Sequence, residues 1–222
     1  MVTRSRWLSV RVSGPFALFT RPEMKVERVS YDVITPSAAR GVLEAVLWKP
    51  GMRWVVGRVT VLNAIRHLSV KRNEVASKIP SDVVQWARHN RADREFFADD
   101  DRQQRNALLL ADVDYVLDAC IELTPRAGSE DSITKFVEMF LRRVQRGQHF
   151  HQPYLGCREF PASIALATGT ERPHPSLVDQ DVDLGWMLYE IQYEDGVPRQ
   201  PRFFQARMRN GIVDIPSAPA AG

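Results

Sequence analysis

The chain has 222 residues, 44% hydrophobic and 26% charged, enough for one large domain or two small ones with a true core. It carries no apolar run of ~18 residues and no signal-peptide pattern at its start, which argues against a membrane span or secretion. Its two cysteines, Cys120 and Cys157, stand in no zinc-binding spacing, so a cytoplasmic protein with reduced thiols and no structural metal is expected. The net charge of +3 is small but sorted along the chain. Residues 49–78 hold seven Lys and Arg against Glu74, and residues 199–209 hold four Arg and no acid. Residues 171–195 reverse the balance, with seven acids against Arg172. A chain sorted this way can present a basic face to a polyanion.

The alternation from Trp7 to Val12 predicts a strand, and Gly14-Pro15 a turn that ends it. Thr35-Pro36 opens a helix, with Thr35 as cap and Pro36 in the first turn. Ala39, Leu43, Val46 and Leu47 form its apolar stripe, and Lys49-Pro50-Gly51 stops it. A long strand, Trp54 to Leu62, runs into the basic segment Arg66 to Glu74. Ser77 to Arg105 loses all periodicity and reads as a long, partly mobile loop with room for a short helix.

Strand alternation returns from Asn106 to Leu123. A second helix is predicted from Ser129 to Arg146. Glu130 and Asp131 suit its first turn, Arg142, Arg143 and Arg146 its last, and Gly147 its end. Ile133, Phe136, Val137, Phe140, Leu141 and Val144 recur every three or four residues, which makes one apolar face. A strand near Tyr154 to Ala167 would complete a ferredoxin-like, RRM-like βαββαβ unit over residues 1–168, an α+β fold. Trp186 to Tyr193, Arg202 to Met208 and Gly211 to Ile215 predict a second, small antiparallel β domain over residues 169–215. Residues 216–222 read as a disordered tail.

Phosphate-binding glycine loops, HExxH and GxSxG are absent. The adjacent acids Asp99-Asp100-Asp101 suit solvated charge better than a magnesium site. A metal-free cut of RNA remains open. The 2′-hydroxyl attacks the neighbouring phosphate while a base takes its proton, an acid protonates the leaving 5′ oxygen and a cation holds the extra charge. Histidine, tyrosine and lysine do this work, and the chain offers His67, His89, His149, His151, His174, Tyr31, Tyr154 and several lysines. His149 and His151 flank Phe150, so in an extended segment they share a face.

Several blocks then carry a resemblance. They are Phe16–Glu23 (FALFTRPE), Val29–Val33 (VSYDV), Thr35–Ala45 (TPSAARGVLEA), Trp48–Pro50 (WKP), Arg72–Val75 (RNEV), Gln103–Arg105 (QQR) and Gln152–Pro161 (QPYLGCREFP). In this order the chain resembles the CRISPR-associated repeat-processing endoribonucleases of type I-C systems, in the Cas5 branch of the RAMP (repeat-associated mysterious protein) superfamily. The resemblance implies a ferredoxin-like domain followed by a small β domain. It implies binding of the CRISPR repeat hairpin, a metal-independent cut at its base, no cofactor, and retention on the 5′ handle of the guide RNA among the other subunits of the type I-C Cascade complex.

Relatives place a Tyr before the Trp-Lys-Pro triplet and a Lys-His pair early in the second helix. Here those positions are Leu47 and Lys135-Phe136, so Lys135 alone carries over. Lys135 lies about 200° around the helix from Ile133, away from the apolar stripe, whereas Leu47 and Phe136 fall on stripes. Three activities fit this mixture. The chain cuts repeat RNA with Lys135 and a rebuilt set drawn from His149, His151 and Tyr31; or it binds the handle without cutting; or it is a less selective metal-dependent nuclease that also takes DNA. RNA contacts are expected at Arg40, Lys49, Lys71, Arg72 and Arg105, with Trp48 and Phe160 as stacking candidates. The paired sheet aromatics of an RNA-recognition motif are not found.

Overall fold

Alternating apolar and polar side chains make the first strand, β1 (Leu8–Ala17), in a computed structural model that describes residues 3–217 apart from 25, 79–80, 90–96, 98 and 195–196. Leu8, Val10 and Val12 turn into the core, and Ser9 and Arg11 face out. The strand continues past Gly14-Pro15, where a turn was expected. Its ladder with β5 (Arg102–Leu123) skips Pro15, and Asp112 takes a φ of 51° there, so the proline removes no needed hydrogen bond.

Helix α1 (Pro36–Val46) starts where Thr35 Oγ1 accepts the Ala38 amide, and it buries Ala39, Val42, Leu43 and Val46. Helix α3 (Ile133–Gln145), third in chain order, begins later than its charge pattern suggests. Ser132 is its cap, accepting the Lys135 amide, so Glu130 and Asp131 precede the helix rather than fill its first turn. Phe136, Phe140 and Val144 are its buried stripe. Each such aromatic or aliphatic burial contributes about 1.5–3 kcal/mol.

With β3 (Met52–Val61) and β6 (Ser163–Leu166), the strands lie in the order β6-β1-β5-β3, every neighbour antiparallel. Both helices pack against this sheet and meet each other over a core that includes Val10, Leu43, Trp54, Leu117, Phe136 and Phe140. Strands β7 (Asp181–Glu194), β8 (Val197–Arg209) and β9 (Ile212–Asp214) were expected as a sheet of their own. Instead β9 bonds to both β3 and β8, and the nine strands among the described residues share one sheet. Asn210-Gly211 joins β8 to β9 with φ of 52° and 72°, the positive pair a two-residue hairpin turn requires.

The basic segment after β3 is itself a strand, β4 (His67–Val75), paired with Arg102–Leu110 of β5. Because β5 is 22 residues long, its first half runs past the main sheet as a two-stranded ribbon with β4, edged by the short β2 (Arg28–Val29). The expected loop from Ser77 holds helix α2 (Ser81–Arg88) and gives way to β5 at Arg102. Residues 79–80, 90–96 and 98 of that loop, and 218–222 of the expected tail, lie outside the described residues. The strand expected from Tyr154 shortens to β6, since Tyr154 and Pro161 form only an isolated bridge around a loop that turns at Gly156 (φ 85°). Among the described residues no helix is long and apolar enough to cross a membrane.

Candidate functional site

The ribbon brings together two polar segments that lie far apart in sequence. Arg72 stands opposite Arg105, Asn73 opposite Gln104, and Glu74 opposite Gln103. Side chains alternate between its faces. On one face Val70, Ala107 and Leu109 pack on Leu18, with Cys157 and Phe160 from the loop before β6. Burial, foremost, pushes the Cys157 thiol up despite nearby Arg28 and Arg72. Arg72 and Arg105 continue the same face.

Arg72 pairs with Glu159, Arg28 with Glu74 at 3.2 Å, and Arg105 Nη2 donates to the Gln103 side chain at 3.0 Å. Arg72 Nη1 and Arg105 Nε are nevertheless buried without a hydrogen-bond partner. Like charges directly opposed and unsatisfied buried donors both oppose folding, the latter by about 1–3 kcal/mol each. On the other face Lys71, Asn73, Gln104 and Asn106 are exposed.

A second cluster forms where α1 ends. The Phe150 amide donates to the Ala45 carbonyl at 2.8 Å, and Arg143 Nη1 to the Val46 carbonyl at 2.6 Å. These bonds satisfy the last carbonyls of α1 and pin the loop after α3 against it. His151 stacks on Tyr154 at 6.3 Å, and His149 is exposed. Trp48 and Lys49 are exposed just past α1. Lys135 sits at the other end of α3. Its Nζ donates to the Glu130 carbonyl at 3.0 Å and lies 3.7 Å from Asp131. Eight residues separate Lys135 from Arg143, whose carbonyl accepts the Gln148 amide, so ~12 Å of helix divides the lysine from the histidines. Groups that share one phosphate must reach it within ~3 Å, and the fold does not bring these together.

Tyr31 stands apart from both clusters. It is 1% exposed, its hydroxyl accepts the Leu188 amide at 3.2 Å, and burial raises its pKa. The Arg21 guanidinium lies 4.5 Å over its ring. Arg40 is also engaged: Nη1 donates to Glu190 at 3.1 Å and Nε lies 3.6 Å from Glu44, so it ties α1 to β7. It borders a pocket of about 310 Å³ with Arg4, Arg53, Arg202 and the buried Glu122.

Two features escaped the sequence reading. His67 Nε2 lies 3.1 Å from Asp32, which also meets Arg21 at 3.6 Å; the signals were separate, His67 among the histidines and Asp32 inside the VSYDV block. A cleft of about 320 Å³ runs between α1 and the 154–156 loop, edged by Thr20, Thr35, Ser37, Gly41, Tyr154 and Gly156. Hydroxyls of this kind bond phosphate and sugar oxygens. Gly156 is required there, since a Cβ would stand 2.0 Å from the Leu18 carbonyl oxygen.

A sequence model of the CRISPR-associated protein family Cas5 (Cas_Cas5d) matches residues 7–216, nearly the whole chain. The chain belongs to this family. A CRISPR pre-crRNA endoribonuclease Cas5d of Mannheimia succiniciproducens is 48% identical over 214 residues, 94% of each chain. One of Thermus thermophilus is 40% identical over 227 residues, covering 95% of this chain and 91% of the relative. A solved CRISPR-associated protein shares the fold at a TM-score of 0.72 and 23% identity, over 100% of this chain and 98% of the other. A chain of a CRISPR RNA-guided surveillance complex does so at 0.50 and 15% identity, over 96% and 91%.

Within this Cas5 chain, Leu47 and Phe136 occupy the positions where the resemblance puts Tyr and His. They are 0% and 1% exposed. The Leu47 carbonyl accepts the Trp54 indole N–H at 2.9 Å, and Trp54 meets Phe140 edge-on at 4.6 Å. Both positions are packing groups of one aromatic core. Among the described residues no three His, Cys, Asp or Glu side chains gather as a metal site, and Asp99 and Asp101 are bonded to Arg102 and Ser77.

Proposed function

We propose that this Cas5-family chain binds CRISPR repeat RNA, cuts the precursor at the repeat hairpin without a metal, and stays on the 5′ handle as a cytoplasmic subunit of a type I-C Cascade assembly. The observation that carries the reading is 48% identity, over 94% of both chains, to a protein named a CRISPR pre-crRNA endoribonuclease. The strand order β6-β1-β5-β3, with helices after β1 and β5, supports a ferredoxin-like unit over residues 1–168. The β7–β9 segment, residues 169–215, is then a small β domain annexed through β9.

The cut transfers a phosphoryl bond from one ribose oxygen to another. The 2′-hydroxyl gives its proton to a base and forms the O2′–P bond. The P–O5′ bond breaks, and an acid protonates the departing oxygen, leaving a 2′,3′-cyclic phosphate and a 5′-hydroxyl. On this reading either His149 and His151 exchange protons at the scissile phosphate, or Lys135 holds its charge at the other end of α3. Tyr31, bonded in the core, holds the Leu188 amide of β7 instead. Lys135 and the histidines lie at opposite ends of α3, so a labelled repeat hairpin in EDTA, with Lys135→Ala beside His149→Ala/His151→Ala, shows which end cuts. A single cut lost in one variant is the expected result.

The burial of Leu47 and Phe136 favours a second reading, a subunit that binds the handle and leaves it intact. Saturated binding with no product in the same assay would establish it. A cut that appears only with added Mg²⁺ or Mn²⁺, and extends to DNA, would replace both readings.

A further inference from the structure

Resting on the RNA-binding reading above, we propose that Arg72 and Arg105 form a clamp for one backbone phosphate, closed in the free protein by Glu159. Arg72 and Arg105 are opposed across β4 and β5, on one face of a ribbon, where like charges repel. Each keeps a buried nitrogen with no acceptor, Arg72 Nη1 and Arg105 Nε. A guanidinium fork matches phosphate oxygens two at a time, and the two non-bridging oxygens of one phosphodiester supply acceptors to both forks.

Glu159 gives the site a carboxylate for the present. It bonds Arg72 and not Arg105, and its side chain is 57% exposed. It can therefore leave for solvent while Cys157 and Phe160, on the same loop, stay packed beside Ala107 and Leu109. Arg28 remains on Glu74 throughout. The cluster holds three arginines against two glutamates, so displacing Glu159 leaves a local surplus of positive charge for the incoming phosphate.

Titration of the full chain against its labelled repeat RNA, by fluorescence anisotropy over a range of salt, tests the clamp. Arg72→Ala and Arg105→Ala each weaken binding about tenfold or more. Losing both lowers the salt slope by about 0.7 to 0.9, the share of one phosphate. Single-stranded DNA of the same sequence weakens by the same factor, since its phosphates carry the same oxygens. Glu159→Gln tightens binding several-fold, and that gain disappears in the Arg72→Ala background. A merely structural role for Glu159 would not give that reversal. Arg105→Gln melts no lower than wild type, because it removes one of two opposed charges, and so serves if Arg105→Ala folds poorly. If wild type binds and both arginine variants match its affinity and slope, the clamp alone falls. It falls equally if Glu159→Gln weakens binding. If wild type does not hold the repeat RNA, the RNA-binding reading falls and takes the clamp with it.

Discussion

Placing at Leu47 and Phe136 the Tyr and His that the resemblance puts there should damage the protein rather than improve it. Leu47 is completely buried at the end of α1, with its carbonyl held by the Trp54 indole. A tyrosine there overpacks the core, which costs about 1–3 kcal/mol. Phe136 is buried on the same stripe as Phe140, and an imidazole in its place leaves a polar nitrogen unsatisfied, about 1–3 kcal/mol more. A central value of about 4 kcal/mol for the double variant is a large share of a stability of ~5–15 kcal/mol. For a chain of this size it corresponds to a fall in melting temperature of ~8–16 °C. Thermal melts of wild type, Leu47→Tyr, Phe136→His and the double variant read the effect, with repeat-RNA cleavage measured beside them. A double variant as stable as wild type, or one that cuts 10²-fold faster, would refute the reasoning, because both side chains would then have to face the RNA.

Glu44 is a partly buried carboxyl whose pKa is raised by burial, with Arg40 opposing. A raised carboxyl loses stability as pH climbs above its ordinary 4.5, so Glu44→Gln should melt higher at pH 7 and lose that advantage below 4.5. A lower melt at pH 7 would mean that the pairing with Arg40 outweighs burial. Glu171 is the opposite case: the Thr168 amide first, and the Gly169 amide, hold it down at about 2. Its contribution is complete above 4.5 and fades as pH falls toward about 2, so the protection of the Thr168 and Gly169 amides against hydrogen exchange, relative to their intrinsic rates, should fall across that window. Glu171→Gln should abolish that trend. Gly156→Ala meets both a positive φ and the Leu18 carbonyl, and should lower stability by about 1–3 kcal/mol in a thermal melt; an unchanged melt would mean that the 153–160 loop moves freely.

Sequence pattern shows the helices and the central strands because each has one buried face. Ala39 and Leu43, or Phe136 and Phe140, repeat at the helical period since they meet the sheet. The ribbon strand β4 was invisible as a strand. Lys71, Arg72, Asn73 and Glu74 alternate no apolar residues, because the ribbon extends beyond the main sheet and much of it is solvated. The joining of β9 to β3 was hidden for another reason: three ladder residues decide it, and no local pattern encodes a partner that far away.

The candidate site was legible in part. Arg72 and Arg105 stood in separate motif blocks, and only the register places them face to face. Arg40 reads as an RNA contact by charge alone, yet Glu190 and Glu44 occupy it. Tyr31 has a catalytic functional group but no solvent, and the His67–Asp32 pair joins residues that the sequence keeps 35 apart. Chemical type was readable; accessibility and partnership needed the fold.

On the proposed reading this chain cuts repeat RNA through the ribose 2′-hydroxyl. A single-turnover reaction of the purified chain with its own repeat hairpin in EDTA, followed by mass spectrometry of the products, tests it most directly. One cut near the hairpin base, ending in a 2′,3′-cyclic phosphate and a 5′-hydroxyl and blocked by a single 2′-deoxy substitution at the cut, is the predicted result. Fully bound but intact RNA, or products ending in a 3′-hydroxyl, would contradict it.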